Sequence, residues 1–118
     1  MDLVAFLGKD RENWGQVVAL LKRLDHERAI LIKARGTESF PLIGRAEIIE
    51  VSSDKPLLDL KKEIISKIRE RIGIGFEVSL SLASGNGKEH MALLSALLSI
   101  PVGVRLVIYT KEGVEFIN

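Results

Sequence analysis

The feature that most constrains the fold is a pair of short, uninterrupted apolar segments in the first third of the chain. The segments 3–7 (LVAFL) and 29–32 (AILI) are both of strand length and contain no polar residue. Strict alternation is typical of a strand with one solvated face, whereas continuous hydrophobicity indicates a strand that is covered on both faces. The sequence therefore predicts parallel strands that are buried between helices.

Helical periodicity separates these strands. Trp14, Val17 and Leu21 fall on one face, which predicts a helix from Arg11 to about residue 24, with Asp10 available as its N-cap. The remaining elements are predicted as strand 46–51 near an edge, helix 56–73, strand 76–82, helix 88–100 and a C-terminal hairpin of 104–109 with 114–117. We expect an irregular connection between 37 and 46, which contains Pro41 and Gly44.

These elements predict a fold class and a domain organisation. A chain of 118 residues fits one domain, 1–118. Strands that alternate with helices predict an α/β, Rossmann-like three-layer sandwich with a mainly parallel sheet and a C-terminal antiparallel hairpin. The helix 88–100 is apolar around nearly its whole circumference, which predicts burial on all sides. Since one sheet covers only one side of a helix, we also predict a homodimer.

Composition excludes several classes of function. Seventeen Lys and Arg against 16 Asp and Glu give a net charge of +1, so we expect no membrane partner and no duplex DNA binding by this domain alone. The absence of cysteine and the presence of only two histidines predict no metal site. With no signal peptide and no apolar stretch long enough to span a membrane, we expect a cytoplasmic protein. We also expect that it needs no cofactor. One Gln and three Asn resemble thermophile usage.

The candidate site lies in the loops that follow the first and fourth predicted strands. Its residues are Gly8, Lys9, Asp10, Ser84, Gly85, Asn86, Gly87 and Lys88. The second loop begins a helix, whose free amides and positive dipole end favour an anion, and its two glycines admit a phosphate close to the backbone. Ser84 adds a hydroxyl and Lys88 a charge, although a plain capped turn with a solvated lysine explains the same residues.

Neither loop matches a common nucleotide motif. Leu82 replaces the first glycine of a Walker loop and Glu89 its final hydroxyl residue, which argues against ATP hydrolysis. The loop at Gly8 lacks the G-x-G-x-x-G pattern of dinucleotide-binding proteins. His90 is a candidate acid or base, or a packing residue. The sequence identifies no catalytic residue.

The segment from Leu80 to Met91, LSLASGNGKEHM, followed by an apolar helix and GVRLVIY over 103–109, resembles the CRISPR-associated Rossmann-fold (CARF) domain family. That family shows Asp or Asn, any residue, Ser or Thr, three residues, then Arg or Lys in this loop. Ser84 and Lys88 match, and Leu82 stands at the Asp or Asn position. The resemblance implies a homodimer that binds a cyclic oligoadenylate, an antiviral-defence messenger, with the loops after the first and fourth strands as the floor.

Two functions from different classes stay open at this stage. The first is a nucleotide-sensing regulatory domain, either with or without slow metal-independent cleavage of the ring, and either standing alone or forming part of a longer effector. The second is a structural or protein-interaction domain of Rossmann-like fold that binds no nucleotide. A nucleotide-binding screen separates the two.

Overall fold

The computed structural model describes residues 1–37, 39–41, 46–72 and 77–118 of the chain. The strands are β1 Asp2–Leu7, β2 Ala29–Ala34, β3 Ala46–Val51, β4 Glu77–Ser81, β5 Gly103–Thr110 and β6 Gly113–Phe116. The helices are α1 Trp14–Arg23, α2 Leu57–Ile68 and α3 Gly87–Ser99, with a 3-10 turn at Arg11–Asn13 before α1. The strands form one six-stranded sheet in the order β3-β2-β1-β4-β5-β6.

The predicted α/β class is confirmed, and so is the mainly parallel sheet. β1 pairs in parallel with β2 and β4, β2 pairs in parallel with β3, and β4 pairs in parallel with β5. Only β5 and β6, the predicted C-terminal hairpin, pair antiparallel among the described strands. β3 lies at the edge of the sheet, as its two glutamates predict.

The central strand β1 explains why the sequence there is continuously apolar. Leu3, Ala5 and Leu7 point to one side, where they pack in a cluster with α1. Val4 and Phe6 point to the other side and pack in a cluster with α2 and α3. All five side chains are fully buried. Helices on both faces of the sheet are thus required by the sequence of its central strand.

The order of strands creates one topological switch point. The chain runs from β1 outward through β2 to β3 and then crosses over the sheet to β4, on the other side of β1. The loops after β1 and β4 therefore leave the same edge of the sheet side by side. In open α/β sheets, ligands bind in the crevice at this position.

One helix prediction was wrong in its bounds, and another is not tested by a single chain. On α3, Met91 and Leu98 are 62% and 68% exposed on the outer face, where the predicted partner would lie. α2 ends at Ile68, five residues before the predicted end at Gly73, and a turn follows it. Gly73 itself, Gly44 in the irregular connection and Phe76 at the predicted start of β4 lie outside the described residues.

Candidate functional site

The loops after β1, β3 and β4 surround a cleft at the carboxyl edge of the sheet. Its volume is about 360 Å³, and its lining residues are Lys9, Asp10, Ser53, Asp54, Gly85, Asn86 and Glu89. The cleft lies at the switch point between β1 and β4, where a ligand is expected in this class of fold. The structure thus brings both predicted loops to one place and adds a third, which follows β3.

Ser84 connects the loops after β1 and β4. The Gly8 amide donates to Ser84 Oγ over 2.9 Å, and Ser84 Oγ donates in turn to Asp10 Oδ1 over 2.8 Å. Ser84 is fully buried, so its hydroxyl satisfies groups of the protein. Ser84 therefore holds the loops after β1 and β4 together and is not exposed in the cleft.

Asp10 also binds the backbone of the opposite loop. The Gly85 amide donates to the Asp10 carboxylate at 3.0 and 3.3 Å, and Asn13 donates its side-chain amide to Asp10 Oδ2 over 2.8 Å. Asp10 does not cap α1, because it makes no side-chain cap hydrogen bond at this helix start. The prediction of an N-cap was wrong, since the carboxylate faces the loop after β4.

The network around Asp10 sets its ionisation. Burial tends to raise the pKa of this carboxyl, but the hydrogen bonds from Asn13, Ser84 and the Gly85 amide outweigh burial and hold the pKa below its ordinary value. Asp10 is therefore a carboxylate at neutral pH. A ligand that approaches the Gly85 amide would therefore meet the negative charge of Asp10, which already accepts a hydrogen bond from this amide.

Two glycines allow the loops to approach this closely. A Cβ at Gly8 would lie 2.6 Å from Asp10 Oδ1 and 2.7 Å from the Gly85 Cα. Gly85 has a φ of +106°, which L side chains rarely adopt. Gly8 is thus needed for the contact between the loops and Gly85 for the turn itself.

The start of α3 is a closed capping box. Asn86 is the N-cap, its side chain accepts from the Glu89 amide over 2.8 Å, and Glu89 Oε1 accepts from the Asn86 amide over 2.9 Å. Glu89 is 4% exposed, and its other oxygen accepts from the Ser53 hydroxyl of the loop after β3. Among the described residues, no acceptor meets the amides of Gly87 and Lys88.

The two lysines of the predicted site have different positions. Lys9 is exposed and lines the cleft. Lys88 is half-buried and its Nζ donates to the Lys55 carbonyl over 2.9 Å, which directs it toward the loop after β3. The ionisable groups that line the cleft are thus Lys9 with Asp10, Asp54 and Glu89. The cleft carries more negative than positive charge.

His90, the candidate acid or base, and Trp14 of the first predicted helix both make structural contacts with these loops. His90 Nε2 lies 2.8 Å from the Ser84 carbonyl and supports the turn. Trp14 is 6% exposed, as predicted for a core residue, and its Nε1 donates to the Gly8 carbonyl over 3.0 Å. Both side chains therefore stabilise the loops that form the cleft.

Sequence reasoning missed Ser53, Asp54 and Glu89. The spacing Asn86-x-x-Glu89 before an apolar run is a capping-box signature and could have identified Glu89. Ser53 and Asp54 follow a parallel strand at its carboxyl end, which places them at the edge where ligands bind. In the sequence they stand only in the connection between the predicted strand 46–51 and the predicted helix 56–73.

In the described ranges, His, Cys, Asp and Glu form no group of three that could hold a metal ion. Within the same part of the chain, no helix is both long enough and apolar enough to cross a lipid bilayer. No protein-family model, curated protein or solved structure matches the chain.

Proposed function

We propose that this chain is a nucleotide-sensing regulatory domain, similar to those of the CARF family, that binds a cyclic oligoadenylate in the cleft between the loops after β1 and β4. The observation that carries the proposal is the position of this cleft at the switch point, where Lys9, Gly85 and the start of α3 meet. Of the two residues that match the family motif, Ser84 donates to Asp10, which lines the cleft, and Lys88 donates to the carbonyl of Lys55, which follows the lining residue Asp54.

The polar groups of the cleft match a nucleotide in two parts. Lys9, which lines the cleft, and the amides of Gly87 and Lys88, which begin α3 next to the lining residue Asn86, are donors suited to a phosphate. Asp10 and Asp54 are acceptors suited to ribose hydroxyls or to an adenine amino group. A nucleotide offers both kinds of partner, whereas inorganic phosphate has no sugar hydroxyl and no base amino group to donate to the carboxylates.

The homodimer belongs to the same proposal. Met91 and Leu98 are exposed on the outer face of α3, and Leu94 between them is half-buried. Contiguous apolar residues of this kind on a surface are typical of an interface. α3 begins at the cleft, so a partner on this helix would bring a second cleft close to the first, as a cyclic and symmetric ligand requires.

A specific observation favours the alternative, a structural or protein-interaction domain. The carboxylates of Asp10 and Glu89 already accept from the amides of Gly85 and Asn86, and Lys88 already donates to the Lys55 carbonyl. Several donors that a phosphate would use are therefore satisfied within the chain. On this alternative, the loops hold the sandwich together and bind no nucleotide.

Calorimetry with cyclic tetra-adenylate and cyclic hexa-adenylate tests the proposal. Saturable heat with either ring at micromolar concentration would support it, and chromatography of the recovered ligand in the presence of a chelator would detect ring cleavage. If neither ring gives heat with the correctly folded chain, the interaction domain is the better account. Linear oligoadenylate of the same length is the matched control ligand.

A further inference from the structure

Three cationic side chains converge on one carboxylate beside the cleft. Glu63 on α2 lies 3.0 Å from Lys67 Nζ, 3.3 Å from Lys55 Nζ and 3.7 Å from Arg35. The Ser52 amide also donates to Glu63 Oε1 over 3.0 Å. Arg35 lies in the loop after β2, Lys55 in the loop after β3 and Lys67 on α2, so these cations are brought together only in the folded chain. One carboxylate cannot neutralise three cations, and the group keeps a positive excess.

Two of these cations keep much of their surface in solvent. The side chains of Arg35 and Lys55 are 60% and 43% exposed, whereas Glu63 beneath them is 10% exposed. Arg35 also donates to the Ser52 hydroxyl over 3.1 Å, which holds its guanidinium in place. Glu63 and Ser52 thus orient the charged groups of Arg35 and Lys55 toward solvent. These contacts use only some of the N–H donors of the two cations. A guanidinium beside an ammonium, both already positioned, suits a phosphate oxygen cluster.

The group adjoins the cleft through one loop. Asp54 lines the cleft, and the next residue, Lys55, lines a shallow groove of about 500 Å³ together with Asp59, Lys62, Glu63 and Ser66. Around this groove, four cations (Arg35, Lys55, Lys62 and Lys67) face the two carboxylates of Glu63 and Asp59. A ligand that leaves the cleft past Asp54 therefore enters a region of positive charge.

We infer that Arg35 and Lys55, held by Glu63, form a second anion-binding site that takes a phosphate group outside the cleft. This inference rests on the proposed function and adds to it a property of the ligand. The ligand is an extended polyanion with at least two phosphates, and one of these phosphates binds beyond Asp54. Recognition by Arg35 and Lys55 is electrostatic and directed at phosphate oxygens, so it is independent of the base.

The test compares the double variant Arg35→Gln/Lys55→Met with Lys22→Met/Arg23→Gln, which removes the same charge from the exposed last turn of α1. Pyrophosphate is titrated into isotope-labelled protein, and amide shifts of residues 35, 52 and 55 are followed by NMR at low salt. We expect the first variant to weaken binding at these amides by roughly ten-fold or more, and the control to bind as the parent chain does. Since the double variant removes partners of Glu63, the single variant Arg35→Gln and the melting temperature of each protein are measured in parallel.

The same proteins are then titrated with cyclic tetra-adenylate, which separates the two claims. Pyrophosphate binding lost in Arg35→Gln/Lys55→Met, with no cyclic oligoadenylate binding to any protein, would support the anion site and contradict the proposed function. Cyclic oligoadenylate binding of equal strength in all variants would support the function and overturn the second site. Two further results would also overturn the second site. Pyrophosphate could cause no amide shifts at residues 35, 52 and 55, or it could cause equal shifts in the folded double variant and in the control. The cluster would then be only a set of ion pairs.

Discussion

Ser84 Oγ donates to Asp10 Oδ1 over 2.8 Å, although 74 residues separate these two in the sequence. The bond joins the loops after the two strands at the centre of the parallel sheet. Because Ser84 also accepts from the Gly8 amide, one hydroxyl holds both loops at the switch point. These bonds fix the two loops relative to each other in the chain on its own, which would reduce the ordering cost of binding a ligand between them.

Ser84→Ala should destabilise the chain by about 1–3 kcal/mol, because it leaves the buried Gly8 amide without its acceptor. The free energy of unfolding, measured by urea denaturation, checks this. Ser99→Ala is the control, since Ser99 is exposed and donates only within its own helix, and it should change stability by less than about 0.5 kcal/mol. Equal effects of the two substitutions would contradict the role of Ser84.

Gly8→Ala and Gly15→Ala should change stability in opposite directions. A Cβ at Gly8 would meet Asp10 and the Gly85 backbone at under 3 Å, so the loops would have to move apart, at a cost of about 1–3 kcal/mol. A Cβ at Gly15 in α1 meets nothing within 4 Å, so alanine there should stabilise by about 0.5–1 kcal/mol. Thermal unfolding of both variants measures the contrast. Destabilisation of similar size in both would show that the contact at Gly8 is not specific.

Most of the fold was predictable because it depends on burial. The continuous apolar segments of β1 and β2, the helical spacing in α1 and the hairpin signal near the C-terminus each indicated their element, and strand alternation with helices indicated a parallel sheet. What covers the outer face of α3 was not predictable, because hydrophobicity does not tell which partner covers a side chain. Leu98 and Leu97 are identical in type, yet one is 68% exposed and the other fully buried.

The site was predictable only in part, for a different reason. Strand topology located the loops at Gly8 and Gly85, but hydrogen-bond partners depend on distances that spacing does not give. Asp10 could cap α1 or cross to the loop after β4, and only the folded geometry shows that it crosses to Gly85. In the same way, Lys88 lies where a phosphate ligand is expected, but its ammonium group donates to the Lys55 carbonyl.

Stability should fall in acid, with Glu63 as one contributor. Burial tends to raise the pKa of Glu63, but hydrogen bonds from the Ser52 amide, Lys67 and Lys55, together with the charge of Lys67, lower it from 4.5 to about 2. Because folding lowers the pKa of Glu63, its ionised carboxylate stabilises the folded chain. This contribution is fully present above the pKa of the unfolded chain, near 4.5, and is lost as the pH falls toward 2. The Glu63→Gln variant should thus be less stable than the parent chain at pH 7, by about 1–2 kcal/mol.

Urea denaturation at pH 7 and at pH 3 checks this pH dependence. The difference between the parent chain and Glu63→Gln should shrink at pH 3, because Glu63 is then largely protonated in the unfolded parent chain and must lose that proton when the chain folds. Glu115→Gln on the exposed hairpin strand is the control and should show no such change between the two pH values. A difference that stays constant with pH would contradict the assignment to Glu63.

Lys88→Ala should weaken binding of a cyclic oligoadenylate by about ten- to hundred-fold, if Lys88 leaves the Lys55 carbonyl to contact a phosphate. Lys88→Arg keeps the charge and should retain more of the affinity, while Lys22→Ala on α1 removes a charge far from the cleft. Calorimetry gives the dissociation constants. Unchanged affinity in Lys88→Ala would show that Lys88 is a structural link between the loops after β3 and β4.

Leu98→Glu should disrupt a homodimer, because it places a charge on the apolar outer face of α3, which Leu98 forms with Met91 and Leu94. Leu98 is 68% exposed in the single chain, so the substitution removes no core contact and should leave the melting temperature of the monomer unchanged. Leu58→Glu on α2 is a close control, since Leu58 is 67% exposed but lies on another helix. Light scattering at tens of micromolar should give a dimer for the parent chain and for Leu58→Glu, and a monomer for Leu98→Glu. A parent chain that is monomeric under these conditions would contradict the interface on α3, since two copies could not then share a symmetric ligand there.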